Sequence, residues 1–96
     1  MRRAAKIDRD QPEIVDGLIR FGATVQSLAT VGVGCPDLLV GYKGRNYLLE
    51  VKNESDPPSA QALTDYQKAW HKMWRGQVAT VNSLSQAIIV LMGGGE

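Results

Sequence analysis

Two carboxylates and a lysine stand near the middle of the chain at a spacing that suits a metal-dependent hydrolytic site. Asp37 precedes one apolar segment, and Glu50 and Lys52 lie at the end of the next one. Mg²⁺ and Mn²⁺ bind hard oxygen ligands such as carboxylates, and a bound ion neutralises phosphate charge and lowers the pKa of its water. A lysine beside the ion can orient or deprotonate that water. These residue types therefore indicate phosphodiester hydrolysis, provided that the fold brings them together.

A predicted β-hairpin brings these groups together. Lys43-Gly44 separates the two apolar segments and is typical of a tight turn. A two-residue turn there places Asp37 opposite Glu50, with their Cβ atoms roughly 5 Å apart. Lys52 then lies on the same face of the sheet, because it is two residues beyond Glu50. Opposed like charges destabilise a sheet, so we expect a divalent cation between them, with the carbonyl of Val51 as a further ligand.

A less specific interpretation of the Glu-x-Lys pair is also open. On a strand, such a pair is more often a solvated surface ion pair. The Gly-x-Pro-Asp sequence before the hairpin, the opposed register and the helix signals that follow favour a site instead.

Three strings of the sequence resemble the VRR-NUC branch of the PD-(D/E)xK nuclease superfamily. They are Gly34-Cys35-Pro36-Asp37-Leu38-Leu39, Leu49-Glu50-Val51-Lys52 and Leu63-Thr64-Asp65-Tyr66-Gln67. The resemblance extends from about Asp10 to Ser83. It implies Mg²⁺- or Mn²⁺-dependent DNA cleavage, with Asp37, Glu50 and Lys52 as the catalytic set. It also implies branched or structured DNA as the substrate and a homodimer like that of junction resolvases. Small stand-alone members of this branch are typical of phages and bacteria.

Further polar residues are candidates for the same site. Glu13 matches the helix carboxylate with which many superfamily members reach the metal, but it suits a capping box with Asp10 equally well. Gln11 is an alternative for that position. Gln67 follows Thr64 at capping-box spacing and also lies beside the apolar stripe of its helix, where a buried amide needs a partner. The resemblance favours an active-site role for Gln67.

The elements that must position these groups follow from apolar periodicity and helix caps. We predict a helix at 10–22, a strand at 23–31, a bend at Gly32 and Gly34, hairpin strands at 37–42 and 45–52, a loop at 53–62, a helix at 64–76, a strand at 77–81 and a last helix at 83–91. We expect Trp70 in the core and His71 on the surface. The order predicts an α/β fold with a mixed sheet flanked by helices. It matches the restriction-endonuclease-like core, α-β-β-β-α-β with a C-terminal helix.

Length and composition set further bounds. The 96 residues predict a single nuclease domain, with a basic arm at 1–9 and a flexible tail at 93–96. The net charge of +1 gives no strong overall attraction to DNA, although the basic arm suits phosphate binding or simple solvation. Cys35 is the sole cysteine, which excludes an intrachain disulfide and a Cys-rich zinc site. No apolar segment suggests a signal peptide or membrane span, so we expect the bacterial cytoplasm, of the host if the gene is phage-borne.

Assembly and alternative functions complete the expectations. A homodimer is predicted because one thin α/β layer is not expected to bury all of the apolar side chains, namely Tyr42, Trp74, Ile89 and Val90. Two other functions compete with catalysis. They are a non-catalytic nucleic-acid-binding module on the same fold and a small phage structural or partner-binding protein.

Overall fold

The computed structural model describes residues 11–93. Its helices are α1 (Gln11–Phe21), α2 (Pro58–Gln61), α3 (Asp65–Met73) and α4 (Leu84–Leu91). Its strands are β1 (Thr24–Ser27), β2 (Leu38–Tyr42), β3 (Arg45–Val51) and β4 (Val78–Val81). The predicted basic arm, the Asp10 cap and the last three residues of the tail lie outside the described residues.

The four strands form one mixed sheet in the order β1-β2-β3-β4. The first two pairings are antiparallel, and β3 pairs with β4 in parallel because α3 crosses over between them. Lys43 (φ 49°) and Gly44 (φ 82°) make the two-residue turn, and Tyr42 pairs with Arg45 as predicted. Positive φ at both turn positions matches the right-handed twist of the strands. The predicted α/β fold with a mixed sheet and flanking helices is confirmed.

The hydrophobic core lies on one face of this sheet, under α1 and α4. Helical spacing places Ile14 and Leu18 on the inner face of α1, where both are buried. The alternate residues of the central strands point into the same layer, including Leu38, Val40, Leu49 and Val51. The opposite face of the sheet therefore carries Glu50 and Lys52, and α3 covers that face.

The first strand is shorter than predicted. A strand was expected over 23–31, but β1 ends at Ser27, whose Oγ accepts a hydrogen bond from the Ala29 N–H at 3.2 Å. The Val31 N–H then donates to the Leu28 carbonyl at 3.0 Å, which closes a turn. Serine favours such local side-chain-to-backbone bonds, and these compete with the sheet ladder.

Two further boundaries differ from the prediction. The segment 53–62, predicted as a loop, contains the one-turn helix α2, because Pro58 has the fixed φ that suits a first helical position. Helix α3 ends at Met73 rather than near Gly76, with the Trp74 N–H donating to the Trp70 carbonyl at 3.1 Å. Among the described residues, no helix combines the length and apolarity needed to cross a membrane.

Helix α3 buries none of its residues, which corrects several expectations. Trp70 was predicted in the core but is half-buried, and its ring stacks on Trp74 with centroids 4.6 Å apart. Tyr66 and Met73 are 71% and 62% exposed. The apolar stripe of α3 is thus largely solvent-facing. Conversely, Val90 was expected on a dimer surface, but it lies on the buried face of α4 and belongs to the core.

Candidate active site

The two predicted carboxylates meet where β2 begins and β3 ends. Leu38 pairs with Leu49, so the next pair outward along the hairpin is Asp37 and Glu50, as the predicted register requires. Asp37 Oδ2 accepts a hydrogen bond from the Val51 N–H at 2.8 Å. This bond holds the Asp37 carboxylate against the end of β3.

Burial governs the electrostatics of Asp37. Desolvation raises the pKa of this carboxyl above its ordinary value of 3.8. The hydrogen bond from the Val51 N–H, a hydrogen bond with Glu50 and the charge of Lys52 lower the pKa but do not cancel the effect of burial. When two carboxyl groups lie close together in a partly desolvated place, the charge on one makes ionisation of the other less favourable. A bound cation would offset this repulsion.

Gln67 joins Glu50 to Lys52. Its Nε2 donates to Glu50 Oε2 at 2.9 Å, and its Oε1 accepts from Lys52 Nζ at 2.9 Å. Lys52 Nζ lies 3.7 Å from Glu50 Oε2, so the direct ion pair is loose and the amide bridges it. The Glu50 side chain is only 3% exposed and that of Lys52 12%, which shields both charges from bulk water.

The same glutamine also caps α3. The Thr64 N–H donates to Gln67 Oε1 at 2.9 Å, and the Gln67 N–H donates to Thr64 Oγ1 at 3.2 Å. These two bonds form a complete capping box. The capping-box interpretation is therefore confirmed, and the same side chain contacts the carboxylate–lysine cluster. An active-site role for Gln67 stays a prediction.

A cavity of about 520 Å³ opens over this cluster. Asp37, Glu50, Lys52 and Gln67 line one side, and the segment 53–62 forms the other. Carboxylates, a lysine and an amide thus converge on one cavity, a combination typical of candidate active sites.

The candidate residues of α1 lie apart from this lining. Glu13 is exposed on α1 and does not border the cavity, so a metal role for it stays a prediction. Gln11 is only 4% exposed, and its Oε1 accepts no hydrogen bond from the described residues. Gln11 does not border the cavity either, so a site role for it in place of Glu13 stays a prediction.

The donor set suits a hard divalent cation. Mg²⁺ commonly takes one or two protein carboxylates and completes its shell with water and phosphate oxygens. Asp37 and Glu50 supply such a pair in a partly desolvated place. Among the described residues, no group of three or more His, Cys, Asp or Glu side chains has metal-binding geometry.

Sequence reasoning missed His71, which was expected on the surface. His71 is half-buried, and its Nε2 atom is buried with no hydrogen-bond partner among the described residues. Burial, and then the charge of Lys52, lower its pKa below the ordinary value of 6.5, so the ring is neutral at pH 7. The available signal was its spacing of four residues from Gln67, which puts both on one face of α3.

Comparison with known proteins gives one informative result. No protein-family model and no curated protein match the chain. A solved structure described as a VRR_NUC domain matches it with 29% sequence identity and a TM-score of 0.63. The match covers 91% of this chain and 96% of the other. The similarity therefore extends over nearly the full length of both chains.

Proposed function

We propose that this chain is a member of the VRR-NUC branch of the PD-(D/E)xK nucleases and that it is a Mg²⁺- or Mn²⁺-dependent DNA endonuclease, on the basis of its similarity to a VRR_NUC domain. One observation carries the proposal. The buried Glu50 carboxylate lies beside Asp37, and Gln67 links it to Lys52 at the floor of a single cavity. A nucleic-acid-binding module has no use for two opposed carboxylates where a phosphate must approach, since they repel it.

The carboxylates are the proposed metal ligands. Asp37 and Glu50 would hold the ion, with the carbonyl of Val51 as a further oxygen. When bound, the ion stabilises negative charge on the reacting phosphate and lowers the pKa of a water. The Val51 N–H donates to one Asp37 oxygen at 2.8 Å, which fixes the orientation of the carboxylate that would bind the ion.

Lys52 and Gln67 act on the nucleophile and the phosphate. The Lys52 ammonium has three donors, and one of them is engaged by Gln67 Oε1. The others are available to a phosphate oxygen and to the attacking water, which Lys52 would orient in line with the leaving group. Gln67 holds Lys52 and Glu50 in register, because its amide donates to one and accepts from the other.

The proposed substrate is branched or otherwise structured DNA, and this part rests on the family likeness. Plasmid DNA and a synthetic four-way junction, each incubated with and without Mn²⁺, test both levels of the proposal. We expect metal-dependent cleavage with the junction cut faster. Junction binding with no cleavage in Mn²⁺ would indicate the non-catalytic module, and neither binding nor cleavage would contradict a nucleic-acid function.

We also propose a homodimer, which would supply two active sites for two strands. The support is a contiguous apolar groove beside the start of α3. Its rim includes Val31, Val33, Tyr66 and Met73, which are 58%, 77%, 71% and 62% exposed. Apolar patches of this kind mark interfaces, and a second copy of the chain is the occupant that the proposed reaction requires.

A further inference from the structure

The wall of the cavity opposite the carboxylates is held by polar contacts. The segment 53–62 follows Lys52 directly and ends just before the cap of α3, so it connects the two ends of the catalytic cluster. None of the residues of its helix α2 is buried. Apolar packing of α2 therefore does not fix this wall, and side-chain hydrogen bonds must contribute to its position.

Gln61, the last residue of α2, holds this wall through both the nitrogen and the oxygen of its side-chain amide. Its Nε2 donates to the Asp56 carbonyl at 2.6 Å and to the Glu54 carbonyl at 3.2 Å. Its Oε1 accepts from Asn82 Nδ2 at 3.0 Å. The first two bonds close the segment on itself, and the third ties it to the residue that follows β4.

Asn82 is a firm anchor for this tie. The Asn82 N–H donates at 2.7 Å to Oε1 of Gln86, a residue of α4. Ser83 caps α4 by accepting from the Gln86 N–H at 3.2 Å. Asn82, which donates to Gln61, thus lies at the junction between β4 and α4. Both of these elements pack into the core.

Resting on the proposed nuclease function, we infer that Gln61 is a positioning residue for the DNA substrate. It borders neither carboxylate and is absent from the cavity lining, whereas Asp56 and Ser59 of the segment it closes line that cavity. A phosphodiester that reaches Glu50 must pass along this wall. Gln61 therefore acts through the shape of the wall, by holding it at a fixed distance from the carboxylates.

The catalytic groups keep their places without Gln61. The Lys52 N–H donates to the Val81 carbonyl at 2.9 Å, which extends the β3–β4 pairing past the end of the strand. Gln67 is fixed by its own capping box. Loss of the Gln61 amide should therefore weaken substrate binding while leaving the metal site and the chemical step intact.

The test is steady-state cleavage of a labelled junction by Gln61→Ala, with Mn²⁺ titration of the same preparation by calorimetry. We expect KM to rise about tenfold, with kcat and Mn²⁺ affinity within about twofold of wild type. Asn82→Ala should also raise KM, and the double variant should add little to the effect of Gln61→Ala, because the hydrogen bond from Asn82 is already lost with the Gln61 amide. Gln26→Ala, which removes an exposed amide on β1, is the matched control and should leave KM unchanged.

Two outcomes would overturn the inference. One is a KM within twofold of wild type in both Gln61→Ala and Asn82→Ala. The other is a parallel loss of Mn²⁺ affinity and kcat, which would make Gln61 part of the support of the metal site. If Gln61→Ala does not fold, Asn82→Ala alone decides, since it leaves the bonds within the segment in place. If the wild type cleaves nothing, the nuclease proposal is contradicted instead. The effect of each substitution on the wall is then measured as the affinity of the protein for the junction in Ca²⁺, in place of KM.

Discussion

Gln67 shows how one side chain can connect helix formation to chemistry. Its amide completes the cap of α3 and contacts both Glu50 and Lys52. The spacing from Thr64 predicted the cap, and the neighbouring apolar residues predicted a polar partner on the sheet side. Neither signal alone specified that the partner is a buried carboxylate, because that depends on how α3 lies across β3.

Lys52→Ala should lower the cleavage rate by about 10²-fold or more, the range for a positioned acid–base or orienting group. Metal affinity should change little, because Asp37 and Glu50 remain. Single-turnover cleavage and calorimetric titration with Mn²⁺ measure the two quantities separately. If the variant loses Mn²⁺ binding altogether, Lys52 supports the metal site and the assigned role is wrong.

Asp37→Asn should change how stability depends on pH in the metal-free protein. Burial raises the pKa of folded Asp37 above its ordinary value of 3.8, so the folded state holds this proton more tightly than the unfolded chain does. That stabilisation is fully present below the ordinary pKa and is lost as the pH rises through the folded pKa. The free energy of unfolding of the wild type should therefore fall relative to that of Asp37→Asn as the pH rises from about 4 toward 7.

Urea unfolding of both proteins at several pH values in EDTA measures this difference. Mn²⁺ added at neutral pH should stabilise the wild type more than the variant, because it binds the folded carboxylate pair. A difference between the two proteins that stays constant across the pH range would show that Asp37 titrates as it does in the unfolded chain.

At the level of helices and strands, the turn before β2 sets the approach of α3. Gly34 has φ 86°, and a Cβ there would collide with the Tyr66 carbonyl oxygen. Gly32 has a similar φ of 76°, but a Cβ there would meet nothing within 4 Å. The two glycines thus share a left-handed backbone and differ in their surroundings, since only Gly34 lies against α3.

Gly34→Ala should push α3 away from the hairpin and separate Gln67 from Glu50. We expect cleavage to fall by at least about tenfold, with a loss of stability of about 1–3 kcal/mol from collision and backbone strain together. Gly32→Ala isolates the backbone strain and should keep near-normal cleavage per folded molecule. Equal activity in the two variants would mean that close packing of α3 is not needed for the site.

The hairpin and the helix caps were predictable because they depend on neighbours in the sequence. Lys43-Gly44 specifies a turn with two positive φ values, and the alternation of β3 then puts Glu50 and Lys52 on one face. The partial burial of His71 and Trp70 and the exposure of Met73 were not predictable, because they depend on where α3 crosses the sheet. Helical periodicity identifies an apolar face but does not say whether core or solvent lies against it.

At the scale of the whole molecule, the apolar groove and the candidate active-site cavity both border α3. We expect a homodimer at micromolar concentration, with a mass of about twice the 10.5 kDa of the chain. Met73→Lys should shift the mass toward the monomer, because it places a charge in the groove. Ile89→Lys, on an exposed position of α4, should leave the mass unchanged.

Light scattering coupled to size-exclusion chromatography measures these masses. A wild-type monomer across the micromolar range, together with nicking of one strand only, would contradict the two-site assembly. A monomer produced by Ile89→Lys but not by Met73→Lys would move the interface from α3 to α4.

Single-turnover cleavage by Glu50→Gln in Mn²⁺, compared with wild type, tests the central claim most directly. The amide keeps the shape of the buried side chain but removes the charge that would hold the ion. Cleavage should fall by about 10³-fold, since a bound metal contributes several kcal/mol to the stabilisation of the transition state. Asp16→Asn, an exposed carboxylate on α1, should cleave at the wild-type rate. Wild-type cleavage by a clean preparation of Glu50→Gln would contradict the assignment of this carboxylate cluster as the active site.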